Sequence, residues 1–101
     1  ALSYAIGTRG GGHLRTTSYA YEFKRIIDPD DTGPDKVRFL VDVEDLFSLH
    51  DSMIFCRFSR FIYDWSFTTD VLNALTGFNY DQKELKERAN YIRTMIRWFN
   101  L

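Results

Sequence analysis

Between Val37 and Leu49 eight of thirteen residues are apolar: Val37, Phe39, Leu40, Val41, Val43, Leu46, Phe47 and Leu49. They do not fall on one stripe. A helix that is apolar around much of its girth cannot lie on the surface of a small protein; it has to be covered on several sides. This segment is expected to be a helix that is largely buried or contacts several partners. Asp35 is its expected N-cap. The preceding run at 28–35, DPDDTGPD, combines two prolines, a glycine and four aspartates and reads as a surface loop.

A second helix is written more plainly near the C-terminus. Asp81 followed by Glu84 has the spacing of a capping box, and Leu85, Ala89, Ile92, Ile96 and Phe99 recur at helical intervals. Glu84 with Arg88, and Lys83 with Glu87, are spaced as i,i+4 pairs on the opposite side. Between the two helices, Phe55, Phe58 and Phe61 recur every third residue and predict that a helical face continues. Tyr63, Trp65 and Phe67 alternate, which predicts extended or turning chain. Thr69 is the expected cap of a short helix over 70–76, closed by Gly77. Upstream, a short apolar segment runs into Gly10-Gly11-Gly12, and residues 13–27 are expected to be partly extended. The fold expected is thus all-α, one helical domain over residues 1–101 with an irregular Gly-rich N-terminal segment.

Composition narrows the function classes. The net charge is −1, so no global field favours nucleic acid or an anionic membrane. Arg57 and Arg60 alternate with phenylalanines, but Asp42, Asp45, Asp51 and Asp64 break up any basic stripe. No apolar run approaches the roughly 20 residues of a membrane span. A single cysteine excludes an internal disulfide and fits a reducing compartment, so a cytoplasmic location is expected. Aromatic residues make up 17% of the chain, more than a core of this size readily hides, so some rings are expected to face another protein surface. Both ends, Ala1 and Leu101, are expected to be cuts within a larger polypeptide.

The residues with chemical potential lie in two stretches. One is Arg9-Gly10-Gly11-Gly12-His13-Leu14-Arg15, where glycines open the approach to a histidine that can serve as a proton donor. The P-loop and dinucleotide-binding glycine patterns are both absent from it. The other stretch is His50-Asp51-Ser52-Met53-Ile54-Phe55-Cys56. Taken alone, Cys56 among Ile54, Phe55 and Phe58 reads as a small core hydrophobe at roughly three to one over a ligand. Asp51 in an apolar neighbourhood reads either as a capped or arginine-paired carboxylate or as an acceptor for a heterocycle's N–H groups. His50 competes with His13 as the proton donor. One thiolate cannot hold a metal cluster by itself.

The order of these elements carries more than any one of them. Tyr4-Ala5, Thr8-Arg9-Gly10-Gly11, His13-Leu14-Arg15, then Asp51 to Cys56, Leu72 to Gly77 and Ile92 to Leu101 together resemble the C-terminal helical part of the aldehyde ferredoxin oxidoreductase family. Enzymes of that family hold tungsten, in some members molybdenum, between two pterins beside a 4Fe–4S cluster. They oxidise aldehydes and pass electrons to ferredoxin or an electron-transfer subunit. The resemblance implies that Cys56 is a cluster ligand, that Asp51 and Arg15 bind the pterin cofactor, and that His13 stands near the metal as a catalytic proton donor.

The family's N-terminal pterin-binding domain, three-cysteine motif and metal-near glutamate have no counterpart in these 101 residues. The chain alone is therefore expected to be metal-free and inactive. Two positions depart from the family pattern. Asp-x-x-Gly-Leu-Cys becomes Asp51-x-x-Ile54-Phe55-Cys56, which implies a different local turn or pterin contact. Gly12 stands where the family has Cys or Asp. The competing expectations are a free-standing helical protein-interaction domain without metal and a cluster-free relative that kept the fold.

Overall fold

A computed structural model describes residues 33–60 and 62–100. Among them the chain forms α1 (Pro34–Ser52), a short 3₁₀ turn (Arg57–Ser59), α2 (Trp65–Thr76) and α3 (Gln82–Phe99), with no strand. The fold is all-α. The chain divides into two compact units, residues 1–44 and 45–101, and α1 runs from the first into the second. The expected Gly-rich segment and the extended stretch at 13–27 lie outside the described residues.

The helix expected to follow Asp35 as N-cap starts two residues earlier. Pro34 takes the first helical position, where its missing N–H costs nothing and its fixed φ suits the helix. Asp35 then lies in the first turn, where a negative charge complements the helix dipole. Its ion pair with Arg38, at 3.5 Å, is solvent-exposed and contributes little. From Val43 to His50 every residue is buried. Eight consecutive positions go more than twice around a helix, so α1 is enclosed on all sides there, although four of them, Glu44, Asp45, Ser48 and His50, are polar and Val37 earlier in the segment is exposed. Each of the large apolar side chains so covered contributes about 1.5–3 kcal/mol.

In the unit formed by residues 45–101, α2 begins earlier than the sequence suggested. Asp64, not Thr69, is its N-cap, and its carboxylate accepts from the Phe67 N–H at 2.8 Å. The alternation of Tyr63, Trp65 and Phe67 misleads because the inner face of α2 is Trp65, Thr68 and Thr69, two of them polar. Thr69 is buried at no cost in unmet hydrogen bonds: its hydroxyl donates to the Trp65 carbonyl at 2.7 Å.

Gly77 closes α2 in the left-handed conformation at φ 75°, donating to the Asn73 carbonyl. An alanine there would meet no atom within contact distance, so only the backbone conformation calls for glycine. The Asn73 side chain donates to the Tyr80 carbonyl at 2.8 Å and accepts from the Tyr80 N–H at 3.0 Å, which clamps the loop into α3. The run Leu72 to Gly77 is therefore the end of α2 and its cap.

α3 starts where the sequence places it. Asp81 caps it, accepting from the Glu84 N–H at 2.7 Å. Leu85 and Ala89 are buried and Ile92 and Ile96 half-buried, but Phe99 is exposed, so the stripe holds for three turns and then leaves the core. Lys86 lies with its ammonium 5.1 Å from the centre of the Trp65 ring, joining α3 to α2 by a cation–π contact. Arg93 donates from Nε to Asp45 on α1, and Asn90 donates to the other carboxylate oxygen at 3.3 Å. No helix among the described residues is long and apolar enough to cross a membrane.

Candidate functional site

α1 ends in a Schellman motif, and the two chemical residues of the second stretch flank it. The Phe55 N–H donates to the His50 carbonyl at 2.8 Å and the Ile54 N–H to the Asp51 carbonyl at 3.1 Å. These are the 6→1 and 5→2 bonds of that cap, with Ile54 at the left-handed position. Its φ is 62°. A β-branched residue is seldom found there, because its Cβ crowds the following carbonyl. Ile54 is the position at which the family pattern has glycine. The residue type differs while the backbone keeps a conformation that glycine adopts without strain, so a different turn is not required. The expected helical continuation through Phe55 and Phe58 does not occur, because this cap reverses the chain direction at Ile54.

The strain is measurable. The Ile54 side chain is 92% exposed, so replacing it forfeits almost no burial. Relief of a left-handed β-branched residue is worth about 1–3 kcal/mol, against about 0.5–1 kcal/mol of added unfolded-state entropy for glycine. Ile54→Gly is expected to raise the urea midpoint of this chain, by about 1 kcal/mol in stability. Ile54→Val should give no gain. A midpoint lowered by glycine would show that the left-handed conformation is not the costly feature.

Cys56 follows the cap directly. Its carbonyl accepts from the Ser59 N–H at 3.1 Å and from the Ser59 hydroxyl at 2.7 Å, and the Ile62 N–H donates to the Ser59 carbonyl at 2.9 Å. The backbone of the cysteine is thus fixed on both sides while its side chain is exposed. Reading Cys56 as a core hydrophobe is corrected here: the apolar neighbours that suggested burial, Ile54 and Phe58, themselves point outward, Phe58 at 87% exposed. Asp51, expected in an apolar setting, lies in the last turn of α1 and is exposed. The stretch thus carries an exposed carboxylate and an exposed cysteine, and Ile54, Phe58 and Ile62 along it are exposed as well.

His50 is 2% exposed and is not a solvent-facing proton donor. Its Nε2 lies 3.0 Å from the Thr68 hydroxyl on α2, and Thr68 is fully buried. Rings enclose the imidazole: Phe55 at 5.5 Å, Phe47 at 5.9 Å and Tyr63 at 6.1 Å, with Phe55 and Tyr63 at 4.5 Å from each other. The contact of Phe55 with His50 is the apolar contact that accompanies a Schellman cap.

His13 and Arg15 lie outside the described residues. No group of three or more His, Cys, Asp or Glu among the described residues is arranged to hold a metal ion. A single cysteine could at most supply one ligand to a metal centre whose other ligands come from elsewhere. The cap itself escaped the sequence because its usual signal, glycine at the left-handed position, is replaced by Ile54. Thr68 escaped because a threonine between apolar residues gives no sign of its partner.

The whole chain, residues 1–101, matches the family model described as "Aldehyde ferredoxin oxidoreductase, domains 2 & 3". It is 31% identical over 105 aligned residues to the tungsten-containing aldehyde ferredoxin oxidoreductase of Pyrococcus furiosus, covering 99% of this chain and 17% of that protein. The proteins of the same name from Thermococcus kodakarensis and Pyrococcus horikoshii are each 30% identical, with the same coverage. The chain therefore spans about a sixth of the length of the curated relatives it matches. No solved structure matches it.

Proposed function

Because the chain belongs to the aldehyde ferredoxin oxidoreductase family, within the region of its domains 2 and 3, we propose that it is part of a tungsten- or molybdenum-pterin aldehyde oxidoreductase and forms one wall of its cofactor site. Cys56 supplies one thiolate to a 4Fe–4S cluster whose other three ligands lie outside this chain. Asp51 accepts hydrogen bonds from a pterin, Arg15 lies beside the same cofactor, and His13 holds a proton near the metal. The cofactors, when bound, take two electrons from an aldehyde and hand them on singly to ferredoxin or an electron-transfer subunit.

The observation that carries this reading is the exposed thiol of Cys56, held on a rigid turn five residues after an exposed carboxylate, in a chain matched by the family along its whole length. An unsupported loop would not hold either ligand in place; a capped helix end does. Ile54, Phe58 and Ile62, exposed and near Cys56 in sequence, are suited to packing against the rest of the enzyme, where a dry surround strengthens electrostatic contacts. With one thiolate and half a pocket, the isolated chain has little differential affinity for a transition state and should not oxidise aldehydes.

Elemental analysis of the anaerobically purified full-length enzyme, wild type beside Cys56→Ala, tests the reading. Tungsten or molybdenum in both, with iron lost only from the variant, is the expected result. Full iron in Cys56→Ala would remove the ligand role. No metal in either would favour a helical docking domain, for which the exposed rings of Phe58, Trp98 and Phe99 would form the contact surface.

A further inference from the structure

We infer that His50, held by Thr68, is a positioning residue that sets the placement of Cys56 relative to Asp51; the inference rests on the reading of Cys56 as a cluster ligand. The geometry singles out His50 among the residues of the turn. Asp51 is its covalent neighbour. Phe55, the residue before Cys56, is tied to His50 by its N–H, which donates to the His50 carbonyl at 2.8 Å, and by the contact of its ring with the imidazole. Both ends of the ligand-bearing turn are thus referenced to one residue.

That residue is in turn fastened to a different helix by its Nε2 contact with Thr68. The turn needs such a fastening. Ile54 occupies a conformation that costs free energy, and a strained backbone persists only where the surroundings over-determine it. If the imidazole loses Thr68, the buried ring keeps its packing but loses its hydrogen bond to α2, and with it part of what fixes its rotation. Phe55 follows the ring, and the Cys56 backbone follows Phe55. A displacement of the thiolate by a fraction of an ångström is enough to alter a cluster's environment, because ligand geometry and nearby hydrogen bonds tune it. The role is distinct from proton donation, since His50 is enclosed by Phe47, Phe55 and Tyr63.

The test uses the full-length enzyme, with Thr68→Val as the principal variant because it keeps the shape of the side chain and removes only the hydroxyl. Expected for Thr68→Val are unchanged tungsten or molybdenum, a reduced-cluster EPR spectrum that broadens or splits into more than one species, and iron loss to a chelator at least threefold faster than wild type. His50→Gln, whose amide reaches the place of Nε2, should retain the wild-type spectrum, and His50→Leu should resemble Thr68→Val.

Leu85→Ala, a core truncation on α3, separates positioning from general stability: it should lower the melting midpoint without changing the spectrum. A wild-type spectrum and chelation rate in Thr68→Val, or equal spectral changes in Leu85→Ala, would overturn the positioning role while iron loss in Cys56→Ala left the ligand reading intact. Full iron in Cys56→Ala would overturn the ligand reading and this inference with it.

Discussion

Truncating Phe47 to alanine is expected to destabilise the protein by about 3–5 kcal/mol, the range for a large aromatic removed from a packed core. Phe47 is fully buried and sits at the middle of the eight-residue buried stretch of α1. A chain of this length has a stability of about 5–15 kcal/mol at the usual value per residue, so the variant loses at least about a fifth of it. Phe47→Leu, which keeps most of the volume, should cost less than about 1.5 kcal/mol. Urea denaturation followed by far-ultraviolet circular dichroism gives both numbers. A loss below about 1 kcal/mol for alanine would mean that the surrounding side chains collapse into the space, as well-tolerated truncations do. The core would then be looser than its burial suggests.

The second large effect belongs to the ion pair between α1 and α3. The side chains of Asp45 and Arg93 are 10% and 22% exposed, and Arg93 Nε donates to the carboxylate. Arg93→Met leaves Asp45 in the core with only the Asn90 amide as a described side-chain donor. Stranding a buried charge in this way costs about 3–5 kcal/mol. The pair itself is worth much less than that, because both charges were desolvated to make it. The double variant Asp45→Leu with Arg93→Met should therefore recover most of the loss. A double-mutant cycle measured by urea denaturation should give a coupling above about 1 kcal/mol. A coupling under about 0.5 kcal/mol would place the pair with solvent-exposed ones. The two variants probe different causes: Phe47 reports on packing, Arg93 on electrostatic satisfaction of a polar group inside that packing.

Where sequence reading succeeded, the signal was local and periodic. α3 could be placed to within a residue because Asp81 caps it and its inner residues repeat at helical spacing. α1 could be placed because a segment rich in apolar residues needs cover, and Leu40, Val43, Leu46, Phe47 and Leu49 are buried. Gly77 announced its left-handed conformation, since glycine is the residue that takes it freely. Where the reading failed, the deciding interaction was made by a residue whose type gives no warning. Thr68 and Thr69 look like surface positions, so the inner face of α2 was hidden and its start misplaced by five residues. Ile54 carries a glycine's conformation under a side chain that ordinarily excludes it, so the cap that ends α1 was invisible and a helix was expected to run on.

The candidate site divides along the same line. The order of motifs from Tyr4 to Leu101 pointed to the family, and the family model matches the same residues. The sequence alone thus determined the all-α class, two of the three described helices and the family. It did so because hydrophobic period, capping residues and motif order are properties of a linear chain. Only the tertiary structure decided that Cys56 and Asp51 face outward, and that a buried histidine secured by Thr68 stands behind them. Exposure depends on which residues fold over a position. Here a single left-handed residue turns the chain so that a cysteine among apolar neighbours ends at the surface, while the polar His50 six residues earlier ends inside.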